Sequence, residues 1–279
     1  MHKVFQVFIL SVLFSCNSIE NKNVHNDSKS KSDNSEAKNE NFNEEFKIDA
    51  EALTKDFMTW YTYTYYKVRL SQDFIGLDTD SLKIDKLAFL NRLQIGNQIP
   101  FKIKMLQGQP VYKLYNLNSS DESIKTTIKQ MASTEIAHLK MEGTEIPDFN
   151  FTDLKGNNYT KSSTKGKLMV LKCWFVHCTA CVKEFPELNK LVDENKNVPE
   201  VLFVSLAMDS KQDLQNFLKT KEFKYAVVPN TKNYMVDKIG ITEYPTHLLI
   251  NNNGKIIKVV NRIEDIIPFL NREKSKMRS

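Results

Sequence analysis

The chain has 279 residues, of which 41% are apolar, and its 39 Lys and Arg against 34 Asp and Glu leave a net charge of +5. This length and apolar content suffice for one full domain with additional segments. The basic residues are spread along the chain among acidic ones, so the composition excludes a concentrated basic patch, and we expect no nucleic-acid partner.

The N-terminus has the pattern of an export signal. After a short basic start, residues 4–14 form an apolar segment that is too short to span a bilayer but fits the core of a signal peptide. The segment ends in Ser15-Cys16, and a small residue followed by cysteine resembles the lipobox of bacterial lipoproteins. We therefore expect a signal peptide over residues 1–16 and lipidation of Cys16, which anchors the protein to a membrane on the periplasmic side of the cell envelope. Ordinary cleavage nearby and an uncleaved anchor are the alternatives.

Residues 17–46 are mostly Asn, Lys, Ser, Asp and Glu. Such a segment cannot bury enough apolar surface to offset the entropy lost on ordering. We interpret it as a disordered tether between the membrane and the folded part. No later stretch of the sequence is long and apolar enough for a transmembrane helix.

Residues 47–143 predict a small α+β region that packs against the C-terminal part of the chain. Aromatic residues largely alternate with Thr over residues 60–65, which predicts a strand. The aromatic cluster forms either core or one wall of a substrate groove, and its members are Trp60, Tyr61, Tyr63, Tyr65 and Tyr66.

The rest of this region shows clearer patterns. Leu87, Leu90 and Leu93 recur at helical spacing after Asp85, a candidate N-cap. Two strand-like runs flank a Gly-containing turn at residues 107–109 and predict a hairpin. A helix is predicted over residues 121–141.

Residues 144–279 predict one α/β domain in which apolar strands alternate with amphipathic helices. This order predicts a mixed sheet with helices on both faces. The predicted elements are a hairpin over 149–158, a strand over 168–175, a helix over 178–194 that contains Pro186, a strand over 201–206, a helix over 211–220, a strand over 225–228, a short helix over 234–239, a hairpin over 246–260 and a helix over 263–272.

Cys178 and Cys181 stand three residues apart where the strand over residues 168–175 gives way to a helix. Free N–H groups and the positive end of the helix dipole favour a thiolate on the first sulfur. Without Cys16 the chain keeps these two cysteines and Cys173, and an odd number fits a redox centre better than structural bridges. The pair predicts a thiol–disulfide exchange site, with a structural disulfide or a partial metal site as the alternatives.

Further residues accompany this pair in a fixed order. They resemble the TlpA/ResA-like branch of the thioredoxin superfamily, whose members are membrane-tethered bacterial thiol–disulfide oxidoreductases. The residues that carry the resemblance are Trp174, Cys178-x-x-Cys181, Glu184, Pro186 and Tyr244-Pro245-Thr246. The resemblance covers residues 144–279 and implies a thioredoxin-like domain that needs no cofactor.

The resemblance also implies roles for individual residues. Cys178 attacks the substrate disulfide and Cys181 resolves the mixed disulfide. A cis peptide bond at Pro245 presents the backbone of Tyr244 for pairing with a substrate peptide. Glu184 lies near the dithiol, where it raises thiol pKa values or shuttles a proton, unless it is merely an exposed helix residue.

Four residues depart from the pattern. Lys172 stands six residues before Cys178, where plain thioredoxins carry a buried acid, and we expect its amine to reach solvent at the sheet edge. His177 directly precedes Cys178 and either stabilises the thiolate or points away. Cys173 is interpreted as an inert core thiol. His247 is a third metal ligand only if the protein handles copper, and we expect no metal site.

These observations predict an exported, lipid-anchored thiol–disulfide oxidoreductase that acts on exported cysteine-containing proteins as a reductant or isomerase. It would act as a monomer and receive electrons from a membrane thiol donor, because the exported compartment has no soluble reductant pool.

Three alternative functions stay open. A peroxiredoxin-like peroxidase is disfavoured because Phe175 stands where such enzymes carry Thr or Ser before the cysteine. A copper carrier would use Cys178, Cys181 and His247. A binding module would act through residues 47–140, with the C-terminal unit as scaffold.

Overall fold

Three β-sheets organise residues 46–278, which are the residues that this computed structural model describes. The predicted signal peptide, the lipidation site Cys16 and residues 17–45 of the predicted tether lie outside them. Among the helices in the described part of the chain, none combines the length and apolar character needed to cross a membrane.

The N-terminal region consists of a four-stranded sheet and four helices. The helices are α1 (Ala50–Leu53), α2 (Phe57–Lys67), α3 (Lys86–Ile95) and α4 (Glu122–Met141). The strands pair in the order β2-β1-β4-β3, and they are β1 (Ile75–Leu77), β2 (Lys83–Ile84), β3 (Gln98–Leu106) and β4 (Gln109–Asn116). The predicted hairpin and both predicted helices of this region are confirmed. Asp85 caps α3 by accepting a hydrogen bond from the Ala88 N–H at 2.8 Å.

The strand predicted over residues 60–65 is wrong, because these residues belong to α2. Asp56 accepts a hydrogen bond from the backbone N–H three residues further on, at 2.8 Å, and starts the helix. Trp60 and Thr64, four residues apart, are both buried. The helical period therefore selects the side chains that face the core, although aromatic residues and Thr also favour strands. The exposed members of the aromatic cluster are Tyr65 and Tyr66.

The C-terminal region contains a hairpin and a five-stranded sheet. The hairpin pairs β5 (Asn150–Thr152) with β6 (Asn158–Thr160). The five-stranded sheet has the order β11-β10-β7-β8-β9, and its strands are β7 (Leu168–Trp174), β8 (Val201–Ala207), β9 (Ala226–Val228), β10 (Thr246–Ile250) and β11 (Ile256–Val260). β7, β8 and β9 run parallel, whereas β10 and β11 are antiparallel to their neighbours. This is the mixed sheet that the sequence predicts.

Helices cover both faces of this sheet, as expected. They are α5 (Thr179–Lys183), α6 (Phe185–Glu194), α7 (Lys211–Leu218), α8 (Ile267–Arg278), a π-helix at Tyr234–Ile239 and a 3₁₀ turn at Ile263–Asp265. Every residue of β7 is buried. Its alternate residues Val170 and Trp174 belong to the core under α6, whereas Leu171 and Cys173 belong to the core under the π-helix.

The N-terminal region packs along the outer side of β11. At the junction of the two regions, the backbone of residues 143–146 pairs with residues 254–256. Ser71 donates a buried hydrogen bond of 2.7 Å to Asp265 in the 3₁₀ turn, and Lys258 of β11 forms an ion pair of 2.8 Å with Glu142. These contacts cover an edge strand that would otherwise expose unpaired backbone groups. The domain boundary at residues 143/144 stays a prediction.

Candidate active site

The dithiol lies where the loop after β7 enters α5. Cys178 is the N-cap of α5, and its Sγ accepts a hydrogen bond from the Cys181 N–H at 3.2 Å. The two sulfurs are joined in a disulfide bond. Cys178 is 7% exposed and Cys181 is 0% exposed. The first sulfur is therefore the one that a protein substrate can reach.

A cis peptide bond joins Tyr244 to Pro245, as the resemblance to the TlpA/ResA-like branch implies. The Tyr244 ring meets the Phe175 ring edge-on, with 5.6 Å between the centroids, and the Phe175 carbonyl accepts the Cys178 N–H at 3.0 Å. The Pro245 carbonyl accepts a hydrogen bond from the Asn261 amide at 2.8 Å. Phe175 thus connects the proline loop to the dithiol loop, and Asn261 connects the proline loop to the end of β11.

The N-terminal region contacts the same loop. Glu243, two residues before Pro245, accepts hydrogen bonds from the side chains of Gln130 at 2.5 Å and Thr134 at 2.8 Å, both on α4. Beyond β11, the Arg262 guanidinium lies 4.6 Å from the centroid of the Tyr65 ring. Sequence reasoning missed these contacts, because no local pattern indicates which surface a separate layer will cover.

The helix that follows the dithiol is interrupted, which corrects the single helix predicted over residues 178–194. It divides into α5 and α6 at Glu184. Pro186 lies in the first turn of α6, where a missing backbone N–H is tolerated because that turn has no helical acceptor for it. The break leaves Glu184 at the junction, and its side chain points into the protein.

Three donors surround the Glu184 carboxylate. Lys172 Nζ lies 2.5 Å from Glu184 Oε2, and His247 Nε2 lies 3.0 Å from the same oxygen. The Ile263 N–H donates to Oε1 at 3.3 Å. Lys172 and His247 are 0% exposed, whereas the Glu184 side chain is 16% exposed. We call the side chains of Lys172, Glu184 and His247 the buried charge cluster.

The expectation that the Lys172 amine reaches solvent is wrong. Lys172 lies on β7, the central strand, and is paired in register with His247 on β10 and Ser205 on β8. A lysine in the middle of a sheet cannot extend past an edge, so a carboxylate has to come to it. Glu184 is that carboxylate, and its position as an exposed helix residue is excluded. The apolar residues on both sides of Lys172 in the sequence were the available signal.

In the buried charge cluster, Lys172 and Glu184 form an ion pair and His247 is neutral. Burial raises the pKa of Glu184, but the His247 ring and the Lys172 ammonium outweigh it and lower that pKa to about 2. Burial lowers the pKa of Lys172, and Glu184 opposes the shift. Burial also lowers the pKa of His247. We take Lys172 and Glu184 as ionised, because their charged atoms are in direct contact and the carboxylate receives three donors.

The remaining predicted residues lie around the dithiol with different exposures. His177 is exposed beside Cys178. Burial raises the pKa of the Cys173 thiol to about 12, which fits an inert core residue. His247 directs Nε2 at Glu184, so this nitrogen is occupied. Within residues 46–278 no three or more His, Cys, Asp and Glu side chains are arranged to hold a metal ion.

Replacing Glu184 with Gln is expected to flatten the acid dependence of unfolding. Pairing lowers the pKa of Glu184 from 4.5 to about 2, so between these pH values the unfolded state binds more protons than the folded state. The stabilisation is present above pH 4.5 and is lost as the pH falls toward 2. Urea unfolding from about pH 7 down to about pH 3 measures this. Equal losses of stability in the wild type and the variant would contradict it.

The fold and this site together define a class of protein. A mixed sheet carries a CxxC disulfide at the start of a helix, and a cis proline lies on a loop linked to it. These features define a thioredoxin-like thiol–disulfide oxidoreductase.

Comparison with known proteins identifies the family. The AhpC/TSA family model matches residues 143–259. The chain is 33% identical over 120 residues to the thiol-disulfide oxidoreductase ResA of Bacillus subtilis (strain 168), which covers 43% of this chain and 66% of that relative. It is 31% identical over 122 residues to ResA of Bacillus thuringiensis subsp. konkukian (strain 97-27), which covers 43% of this chain and 70% of that relative. The chain belongs to the family of ResA thiol-disulfide oxidoreductases.

Among solved structures, a similar one is the thioredoxin domain of a thiol-disulfide oxidoreductase from Bacteroides vulgatus. It covers 47% of this chain and 96% of its own length, with 23% sequence identity and a TM-score of 0.43. The ResA relatives match less than half of this chain, whose N-terminal region forms a separate sheet and core.

Proposed function

We propose that this protein is exported, is tethered to a membrane by a lipid on Cys16, and reduces or isomerises disulfides in exported proteins. Its class is that of its family, whereas its location, direction and substrates belong to the proposal. The observation that carries it is the unequal exposure of the two sulfurs, 7% for Cys178 and 0% for Cys181. Exchange needs one sulfur that a substrate can reach and a second that can then attack the mixed disulfide.

The reaction is a transfer of two electrons and two protons. In the reduced protein the Cys178 thiolate attacks one sulfur of a substrate disulfide, and the other substrate sulfur leaves as a thiolate that takes a proton. Cys181 then loses its proton and attacks Cys178, so the mixed disulfide breaks and the second substrate sulfur leaves and is protonated. The protein ends as the Cys178–Cys181 disulfide and the substrate as a dithiol.

The surroundings of the dithiol support these steps. The Cys181 N–H hydrogen bond to Cys178 Sγ, 3.2 Å long, also stabilises the thiolate that forms there. We assign Tyr244 and Pro245 to substrate binding, with the Tyr244 backbone as an acceptor and donor for an extended substrate segment. His177, exposed beside Cys178, contacts substrate in this proposal.

The reducing direction requires a supply of electrons. The exported compartment has no soluble reductant pool, so we propose that a membrane thiol protein re-reduces the Cys178–Cys181 disulfide. A lipid anchor on Cys16 would keep the protein close to such a donor. The substrates in this proposal are exported proteins with cysteine pairs.

A pair of exchange assays tests the proposal. The reduced protein should accelerate reduction of insulin disulfides by dithiothreitol. The oxidised protein should oxidise reduced ribonuclease more slowly than dithiothreitol reduces the oxidised protein. The reduced protein should not consume hydrogen peroxide at a comparable rate, which separates exchange from peroxidase activity. No acceleration with insulin, or peroxide turnover instead, would overturn the proposal.

A further inference from the structure

A buried ion pair joins Lys172 on the central strand to Glu184, three residues after Cys181. Lys172 stands six residues before Cys178 on the central strand, and its side chain is 0% exposed. It lies on the same face of β7 as Val170 and Trp174, which share a core with both Cys178 and Cys181. Glu184 follows Cys181 by three residues, at the junction of α5 and α6. The pair therefore underlies the helix that carries the two sulfurs.

The donors around Glu184 favour its ionised form, which has no proton to donate. Oε2 is contacted by Lys172 Nζ at 2.5 Å and by His247 Nε2 at 3.0 Å, and Oε1 accepts the Ile263 N–H at 3.3 Å. Donors therefore take three of the roughly four acceptor sites of a carboxylate, a surrounding that favours the ionised, acceptor-only form. The His247 ring therefore donates from Nε2, and its Nδ1 atom is buried without a partner among the described residues.

We infer that Lys172 and His247 are positioning residues that keep Glu184 an anion wherever the dithiol titrates, and that the Lys172 ammonium cancels the effect of this anion on the acidity of the dithiol. Glu184 is then one half of a fixed dipole and takes no part in moving protons. The inference rests on the proposed exchange function, because the acidity of the sulfurs matters only if they react.

The charges around the cluster support this balance. The titratable groups that face it from neighbouring elements are Tyr225 before β9, Glu187 on α6 and Glu264 in the 3₁₀ turn, and Cys173 lies next to Lys172 on the opposite face of β7. Glu187 and Glu264 are exposed, so water screens them. Tyr225 and Cys173 are buried, and burial raises the pKa of both, so they stay neutral. Lys172 is the buried cation of this set, and its removal leaves an unbalanced anion.

Opposite shifts in thiol acidity are the signature of this arrangement. Lys172→Met leaves the Glu184 anion unbalanced, so the thiol pKa of Cys178 should rise by about 1 unit. Glu184→Gln leaves the ammonium unbalanced, so the same pKa should fall by about 1 unit. The double variant Lys172→Met/Glu184→Gln carries neither charge and should return close to the wild type. It also keeps the test possible if Lys172→Met alone folds poorly.

The experiment titrates the reduced full chain by thiolate absorbance and by the pH dependence of iodoacetamide alkylation. The expected shifts change the thiolate fraction below the pKa about tenfold in each direction, and the alkylation rate changes in the same sense but by a smaller factor, because a thiolate of lower pKa is less nucleophilic. The control is Lys258→Met, which breaks a second buried ion pair, Lys258 with Glu142 at 2.8 Å, on the edge strand. This variant should lose stability without moving the thiol titration. His247→Gln keeps a donor toward Glu184 and should also leave the thiol pKa of Cys178 unchanged.

Shifts of the same sign in the two single variants, or no shift beyond that of Lys258→Met, would overturn the inference. A titration step of Glu184 itself near neutral pH in the wild type would also overturn it. These readouts do not require turnover. If the variants show the opposite shifts but the wild type does not reduce insulin, the inference stands and the proposed function is removed.

Discussion

Replacing Cys178 with Ser is expected to abolish disulfide reduction, with a loss of about 10³-fold or more in the insulin assay. A hydroxyl at this position can accept the Cys181 N–H as the sulfur does, but it cannot form a mixed disulfide. Cys181 cannot replace it, because its side chain is fully buried. The fold should survive, so circular dichroism should match that of the wild type.

Cys181→Ala separates the two steps of the same reaction. This variant keeps the attacking sulfur and lacks the resolving one, so it should accumulate mixed disulfides that a non-reducing gel reveals. The matched control is Cys173→Ala, which removes the third cysteine from the opposite core. The control should retain activity and trap nothing. Activity in Cys178→Ser, or equal trapping by Cys173→Ala, would contradict the assignment.

Replacing Trp174 with Ala is expected to destabilise the protein by about 3–5 kcal/mol. The Trp174 side chain is 0% exposed and meets the Phe185 ring at 5.1 Å and the Phe223 ring at 5.6 Å between centroids. Phe185 begins α6, directly after Glu184, so the cavity would also loosen the segment that carries the buried charge cluster. Chemical denaturation measures the loss.

The chain offers a matched comparison, because it contains two tryptophans. Trp60 is also 0% exposed, but it belongs to the core of the N-terminal region. Each single variant leaves one tryptophan as a fluorescent reporter of the other core. Because Ser71–Asp265 and Glu142–Lys258 join the two regions, Trp60→Ala should lower the unfolding midpoint that Trp174 reports. An unchanged midpoint would show that the two regions unfold independently.

Local patterns in the sequence predicted most of the helices and strands. The apolar strands β7, β8 and β10, the capped helix α3 and the β3–β4 hairpin follow from periodicity, caps and turn residues that act over a few positions. The same kind of pattern failed for α2, because alternating Thr and aromatic residues satisfy a strand locally while burial of Trp60 and Thr64 requires a helix. Packing against the rest of the N-terminal region decides between the two.

Long-range contacts account for what the sequence left open at the site. The Glu184–His247 contact joins residues 63 apart in the chain, and the Glu184–Ile263 contact joins residues 79 apart. A spacing of a few residues cannot indicate such pairs. The prediction that the Lys172 amine reaches solvent was wrong for the same reason, because the sequence does not show whether a strand is central or at an edge.

The sequence by itself predicted the CxxC pair, the strand before it and the start of the helix after it, because strand periodicity and a helix start depend on residues a few positions apart. The resemblance to the TlpA/ResA-like branch implied the cis bond at Pro245. The tertiary structure alone decided that Lys172, Glu184 and His247 form one buried cluster and that the N-terminal region reaches the loop before Pro245. The physical reason is the cost of burying charge: a lysine in a central strand is stable only where the fold brings a carboxylate to it.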